Sequence, residues 1–218
     1  MIYLNRASKS TKKFNIFTVL LAIAAFMTAI FCCACKTGDT SDCYEPNTVF
    51  PPEFVGYLKD KKVYVTSAGQ SVEIINLVLN MDTVDGLEYE ENSLLEAHEV
   101  EQGAVVFIVV GCSIKSLAES GLSKESELKR SQEFVTASKQ GKFDIICWHI
   151  GGVARRGATS DTLIEYLFAN CSLALFRADG NSDLKLSDWA DSGGVPYLQF
   201  ESNIASVLRL LTGENDVH

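Results

Sequence analysis

The seven residues Ala104–Val110, AVVFIVV, constrain this chain more than any other stretch. They are continuously apolar and mostly β-branched, so a strand here must be covered on both faces, as in a parallel sheet. The run is not isolated. Val63–Thr66, Phe143–Ile150, Ser172–Phe176 and Val195–Phe200 also read as strands, and Leu87–Glu90 as a weaker one. Between them apolar residues recur at helical spacing. Val72, Ile74, Ile75, Leu77, Val78 and Leu79 follow the first strand, and Ile204, Val207, Leu208 and Leu211 follow the last at i, i+3, i+4, i+7. A helix near Ser123 would be capped by that residue, with Glu125 and Glu127 in its first turn. A further helix over Asp161–Asn170 has Thr162 and Glu165 at capping-box spacing. Strands alternating with helices predict an α/β fold: an open, mostly parallel sheet with helices on both faces, flavodoxin-like or Rossmann-like in order.

Residues 1–35 read differently. Four basic residues, Arg6, Lys9, Lys12 and Lys13, precede Phe14–Cys35, which carries no charge over 22 residues. This pattern predicts a signal peptide or membrane anchor, and Cys32-Cys33-Ala34-Cys35 resembles a lipoprotein processing site with Cys35 as the acylated residue. An uncleaved anchor is the alternative. Either way the basic flank stays inside, which places the rest of the chain in an extracytoplasmic, membrane-anchored location. Residues 36–52 read as a flexible tether and 53–218 as a single α/β domain. Four cysteines beyond the leader, Cys43, Cys112, Cys147 and Cys171, fix no pairing by their spacing.

The chain carries a net charge of −9, and without its basic leader it would be more acidic still. Such a body repels nucleic-acid phosphates and argues against a nucleic-acid partner. An anion would need a local site of basic side chains or backbone amides.

The polar, glycine-rich segments all follow strands, where parallel sheets bind their ligands. After the first strand come Ser67, Gly69, Gln70 and Ser71, where a turn opens a helix whose free N–H groups suit a carboxylate or phosphate. After the second long strand come Ser113 and Lys115. After the next come His149, Gly151, Gly152, Arg155 and Arg156. The glycines permit close backbone approach, and an arginine grips an oxyanion with two parallel hydrogen bonds. Adjacent arginines in a loop diverge, so one of the two is expected to face a ligand. Ser160 and Asp161 suit a helix cap or a ligand contact. His149 suits either a satisfied structural role or acid–base work near neutral pH. No P-loop, dinucleotide fingerprint or nucleophile elbow occurs, and no metal-ligand spacing, so no cofactor or metal is expected. A Ser71–His149–Asp179 triad has no spacing signature behind it.

These three loops resemble those of a bacterial family of unknown function. The motifs are T-S-A-G-Q-S at Thr66–Ser71, V-G-x-S-x-K ending at Gly111–Lys115, and H-x-G-G-x-A-R-R-G-x-x-S-D at His149–Asp161. The resemblance spans roughly Lys62 to Gly213. Cys112 stands where the pattern has Gly, and Val153 where Glu is common. The resemblance implies an α/β fold and a joint role for the three loops, but no reaction. The leading expectation is a tethered protein that binds a small anionic solute at the strand C-terminal rim, beside a transporter or sensor partner. The alternatives are an enzyme with His149 as acid–base group and a structural or interaction module without a ligand.

Overall fold

A computed structural model describes residues 49–214. The expected signal or anchor segment, the Cys35 lipidation site and most of the tether lie outside the described residues. Among the described residues no helix is long and apolar enough to cross a membrane.

Six parallel strands form one open sheet. They are β1 (Val63–Ala68), β2 (Tyr89–Glu91), β3 (Val105–Val110), β4 (Asp144–His149), β5 (Leu173–Arg177) and β6 (Tyr197–Phe200). The spatial order is β2-β1-β3-β4-β5-β6, whose first five positions follow the 2-1-3-4-5 order of flavodoxin-type sheets. Every residue of β1 and β3 is buried, and the two pair over six positions from Val63↔Val105 to Ala68↔Val110. The helices are α1 (Ile74–Met81), α2 (Ile114–Glu119), α3 (Lys124–Lys139), α4 (Ala158–Phe168), α5 (Lys185–Ser192) and α6 (Ile204–Thr212).

Alternation along the strands divides the core into two layers. Val65, Phe107, Ile146 and Leu175 face α1 and α6, which contribute Leu77, Met81, Val207 and Leu211. Val106, Ile108, Ile145 and Phe176 face α3, α4 and α5, with Phe134, Ile164, Phe168 and Leu186. Phe54 and Leu58 extend the first layer, and the Gly56 and Leu58 N–H groups donate to the Leu210 and Leu211 carbonyls at 2.8 and 2.9 Å. The domain therefore takes in the end of the segment read as tether, since Pro51 is already buried.

Several local expectations shift. The weak strand is displaced to Tyr89–Glu91, a short edge strand with exposed carboxylates at Glu90 and Glu91. The segment after Gly111 contains α2, whose N-cap Ser113 accepts from Ser116 N–H at 3.2 Å. Ser123 caps α3 as the spacing predicts, with Ser126 returning the bond to its N–H. The helix expected from Asp161 begins earlier, at Ala158. Asp161 reaches back to Gly157 N–H at 3.1 Å, whereas Thr162 Oγ1 donates to the Ala158 carbonyl, so the Thr162–Glu165 box is not used. Helix α5 lies where the sequence offers no capping signal, its N-cap being Leu184.

Candidate functional site

The chain leaves β1 through α1 to reach β2 on one side, then returns to β3 on the other side of β1. The loops after β1 and β3 thus flank a topological switch point, the place where open α/β sheets leave a crevice. Here the two backbones touch. Gly69 has φ +86°, and a Cβ built on it would lie 2.6 Å from the Gly111 carbonyl oxygen and 2.8 Å from Cys112 Cα. Gly111 N–H donates to Ala68 O at 3.0 Å and Ser113 N–H to Gly69 O at 2.9 Å.

A buried ion pair braces the β1 turn from the opposite layer. Glu127 is fully buried on α3 and accepts from Gly69 N–H at 2.6 Å. Arg130, one turn on, donates to both Glu127 oxygens at 3.0 and 3.1 Å. Its Nη1 reaches Leu95 O at 2.8 Å and Thr66 Oγ1 at 3.3 Å, and Nη2, already bonded to Glu127, also donates to the Ser67 carbonyl. Every charge in this unit is matched by hydrogen bonds, which is what makes its burial tolerable.

Beyond Gly69 the chain opens α1. Gln70 is held at φ +53° with its side chain donating to Ser93 O at 3.1 Å. The backbone N–H groups of Gln70, Ser71 and Val72 make no hydrogen bond among the described residues. Ser71 Oγ donates to Glu73, and Glu73 also accepts from Arg155 Nε. Burial raises the Glu73 pKa, but the Ser71 and Arg155 hydrogen bonds outweigh it and hold the carboxyl below its usual range. Arg155 crosses from the β4 loop over Gly151. A Cβ on Gly151 would lie 2.2 Å from Arg155 Cγ, so the glycine makes the passage for that stem. Glu73 is the one hydrogen-bond partner of the Arg155 side chain among the described residues.

Arg156 goes the other way. It forms two bonds to Asp161 at 2.7 and 3.2 Å, two to Asp183 at 3.0 and 3.1 Å, and one to the Gly180 carbonyl. Its guanidinium lies 5.3 Å from the Trp189 ring centroid. It joins the β4 and β5 loops to α4 and α5. His149 is fully buried, with Nδ1 3.0 Å from Val110 O and Nε2 3.1 Å from Gly152 O. Burial pushes its pKa below the usual histidine value, although both carbonyls favour the proton. Both ring nitrogens are occupied by the protein's own backbone, so in this arrangement the ring has no free edge for a substrate.

A groove of about 440 Å³ opens beside the β1 turn. Ser67, Gln70 and Ser71 form one wall, Val72, Ile75, Val78 and Leu79 of the α1 segment another, and Glu91, Ser93 and Ser116 the rim. Ser67 Oγ is buried and has no hydrogen-bond partner among the described residues.

The structure thus brings Ser67, Gly69, Gln70, Ser71, Ser113, Gly151 and Arg155 to one place. It sets Arg156, Gly152 and His149 in an adjoining packed junction between the β4 and β5 loops. Lys115 stands apart on α2, 86% exposed and 3.7 Å from Glu119. Sequence reasoning missed Glu73, Glu127, Arg130 and the groove wall. Glu127 left a trace, because it falls on the α3 stripe with Ser131, Phe134 and Val135 where an apolar residue belongs.

The chain belongs to the family described as "Domain of unknown function (DUF6305)", whose model matches residues 60–212. That span runs from just before β1 to the end of α6 and contains all the loops of the switch point. Neither the curated proteins nor the solved structures give a match to this chain.

Proposed function

We propose that this member of the DUF6305 family is a binding protein, tethered outside the cytoplasm by its N-terminal segment, that holds a small anionic solute at the carboxyl ends of β1 and β3. The observation that carries the reading is the row of backbone N–H groups at Gln70, Ser71 and Val72, which meet no acceptor among the described residues at the start of α1. Such a row suits a carboxylate or phosphate, and the α1 dipole adds to the attraction. Arg155 stands beside it. Its Nε is engaged by Glu73, and the outer guanidinium nitrogens bond no other described residue, so a second oxyanion fits without displacing the first. The burial of His149 gives the catalytic alternative no support. A lipid on Cys35 and delivery of the solute to a transporter or sensor complete the proposal.

Thermal melts against dicarboxylates, monocarboxylates, sugar phosphates and inorganic phosphate test it. A ligand at a hundredfold excess over Kd stabilises by about 2.7 kcal/mol, which moves Tm by roughly 5–10 °C in a domain of this size. Arg155→Gln should reduce that shift. If no compound in the panel moves the melt, solute capture is rejected. Metabolic lipid labelling tests the tether: label that persists in Cys35→Ser excludes Cys35 as the acylated residue.

A further inference from the structure

We infer that the solute is amphipathic, a carboxylic acid whose aliphatic body lies in the groove between α1 and the Ser93 segment while its head meets the Gln70–Val72 amides. This rests on the proposed function and adds the substrate class. Three observations point to it. First, Ile75 and Leu79 lie one turn apart on α1, exposed by 63% and 61%, and with Val72 and Val78 they line one wall of the groove. A contiguous apolar row bordered by polar residues such as Glu91 and Ser93 is the mark of a ligand-binding groove. Second, the single charged residue lining the groove is Glu91, at the rim. The cavity interior therefore suits an uncharged body, and the anionic end lies at the amide end, away from Glu91, where the one nearby carboxylate, Glu73, is already neutralised by Arg155. Third, Ser67 is 1% exposed, lies in the groove wall, and its hydroxyl has no partner among the described residues. A buried hydroxyl without a partner is destabilising to the fold, so its presence points to a group that joins it from the groove. Ser67 follows Val63 and Val65 on the α1 face of the sheet, so it approaches the groove from beneath the helix.

The experiment titrates the full chain with straight-chain monocarboxylates from acetate to octanoate and with the matching 1-alkanols. Burial of each methylene should tighten the acids roughly fourfold until the groove is filled. Ile75→Ser/Leu79→Ser removes two exposed apolar side chains without adding charge and leaves the core untouched; it should abolish most of the chain-length dependence while acetate, too short to reach them, binds as before. Ser67→Ala should weaken all the acids equally, by roughly two- to tenfold, without lowering Tm, because no bond within the fold is lost. A structural serine would lower Tm instead. Acids that bind with no dependence on chain length overturn this inference and leave the proposed function standing. Alkanols that bind as tightly as the acids overturn the anionic reading and retain the groove. Failure of both series to bind overturns the inference, and the phosphate panel then decides the proposed function.

Discussion

Gly69→Ala tests whether the switch point is built as described. The added methyl group meets two obstacles. Alanine at φ +86° is disfavoured by about 1–2 kcal/mol. Its Cβ would also lie 2.6 Å from the Gly111 carbonyl oxygen and 2.8 Å from Cys112 Cα, both backbone atoms with no rotamer to escape through. The loops must part by several tenths of an ångström. That weakens the Ser113 N–H bond to Gly69 O and the Gly69 N–H bond to Glu127. A neutral bond contributes about 1 kcal/mol and one to a charged carboxylate about 1.5–3 kcal/mol. Partial loss of both brings the total to roughly 3–5 kcal/mol. Gly103→Ala is the control, since Gly103 also has positive φ (+80°) but nothing lies within 4 Å of its Cβ position. It should lose only the conformational 1–2 kcal/mol. Urea unfolding at unchanged m-value separates the two. If Gly69→Ala loses no more than Gly103→Ala, the two backbones do not touch, and the crevice argued from their contact goes with them.

Three further outcomes follow from the ion pairs and from His149. Glu127→Ala should destabilise by about 3–5 kcal/mol in denaturant unfolding, because it strands Arg130 in the core; Glu127→Met/Arg130→Met, which removes both charges, should be less harmful than the single change. Arg156→Lys should lower stability by roughly 2–3 kcal/mol, since an ammonium cannot serve Asp161 and Asp183 with paired bonds, whereas Arg155→Lys should change it by under about 1 kcal/mol. Stability should fall as pH drops below about 6.5: burial lowers the His149 pKa, so the unfolded chain takes the proton first, and His149→Gln should flatten this limb of the pH profile. The carboxyls of Glu73, Asp161 and Asp183, held below their usual range, add a second loss at more acid pH that this substitution leaves intact.

What the sequence disclosed depended on whether a residue's neighbours in the chain were also its neighbours in space. The strands were legible because β1, β3 and β4 are buried on both faces and so read as apolar runs. Helix α5 was not, because its N-cap is Leu184 in a left-handed conformation with no side-chain bond. Its free N–H groups are served from outside by Asn181, which accepts from Leu186 and Ser187 at 2.9 and 3.2 Å. The glycine- and serine-rich loops announced themselves by composition. Their partners did not: Glu73 meets an arginine 82 positions away and Glu127 a glycine 58 positions away. In the sequence the groove wall is only a helix face, because exposure of Ile75 and Leu79 is a tertiary fact. Lys115 shows the converse limit. It stands close in sequence to Ser113, yet the turn of α2 carries it out to solvent.

The opposed fates of Arg155 and Arg156 bear on how an acidic protein would hold an anion. Each arginine near the switch point already faces carboxylates: Arg155 meets Glu73, Arg130 meets Glu127, and Arg156 meets both Asp161 and Asp183. The net charge around the site is therefore close to zero or negative, and the long-range field does not draw anions in. Capture would rest on short N–H contacts at Gln70–Val72 and on the outer edge of Arg155. Contacts of that kind act within a few ångströms, inside the 8–10 Å over which physiological salt screens exposed charges. Affinity should accordingly change by less than about threefold between 20 and 500 mM salt, measured by titration calorimetry with the best ligand of the panel. Association should be slow, near the unsteered 10⁵–10⁶ M⁻¹s⁻¹. A drop of tenfold or more over that salt range would mean that unpaired cationic charge holds the ligand, and that the arginine–carboxylate pairs described above open when it binds.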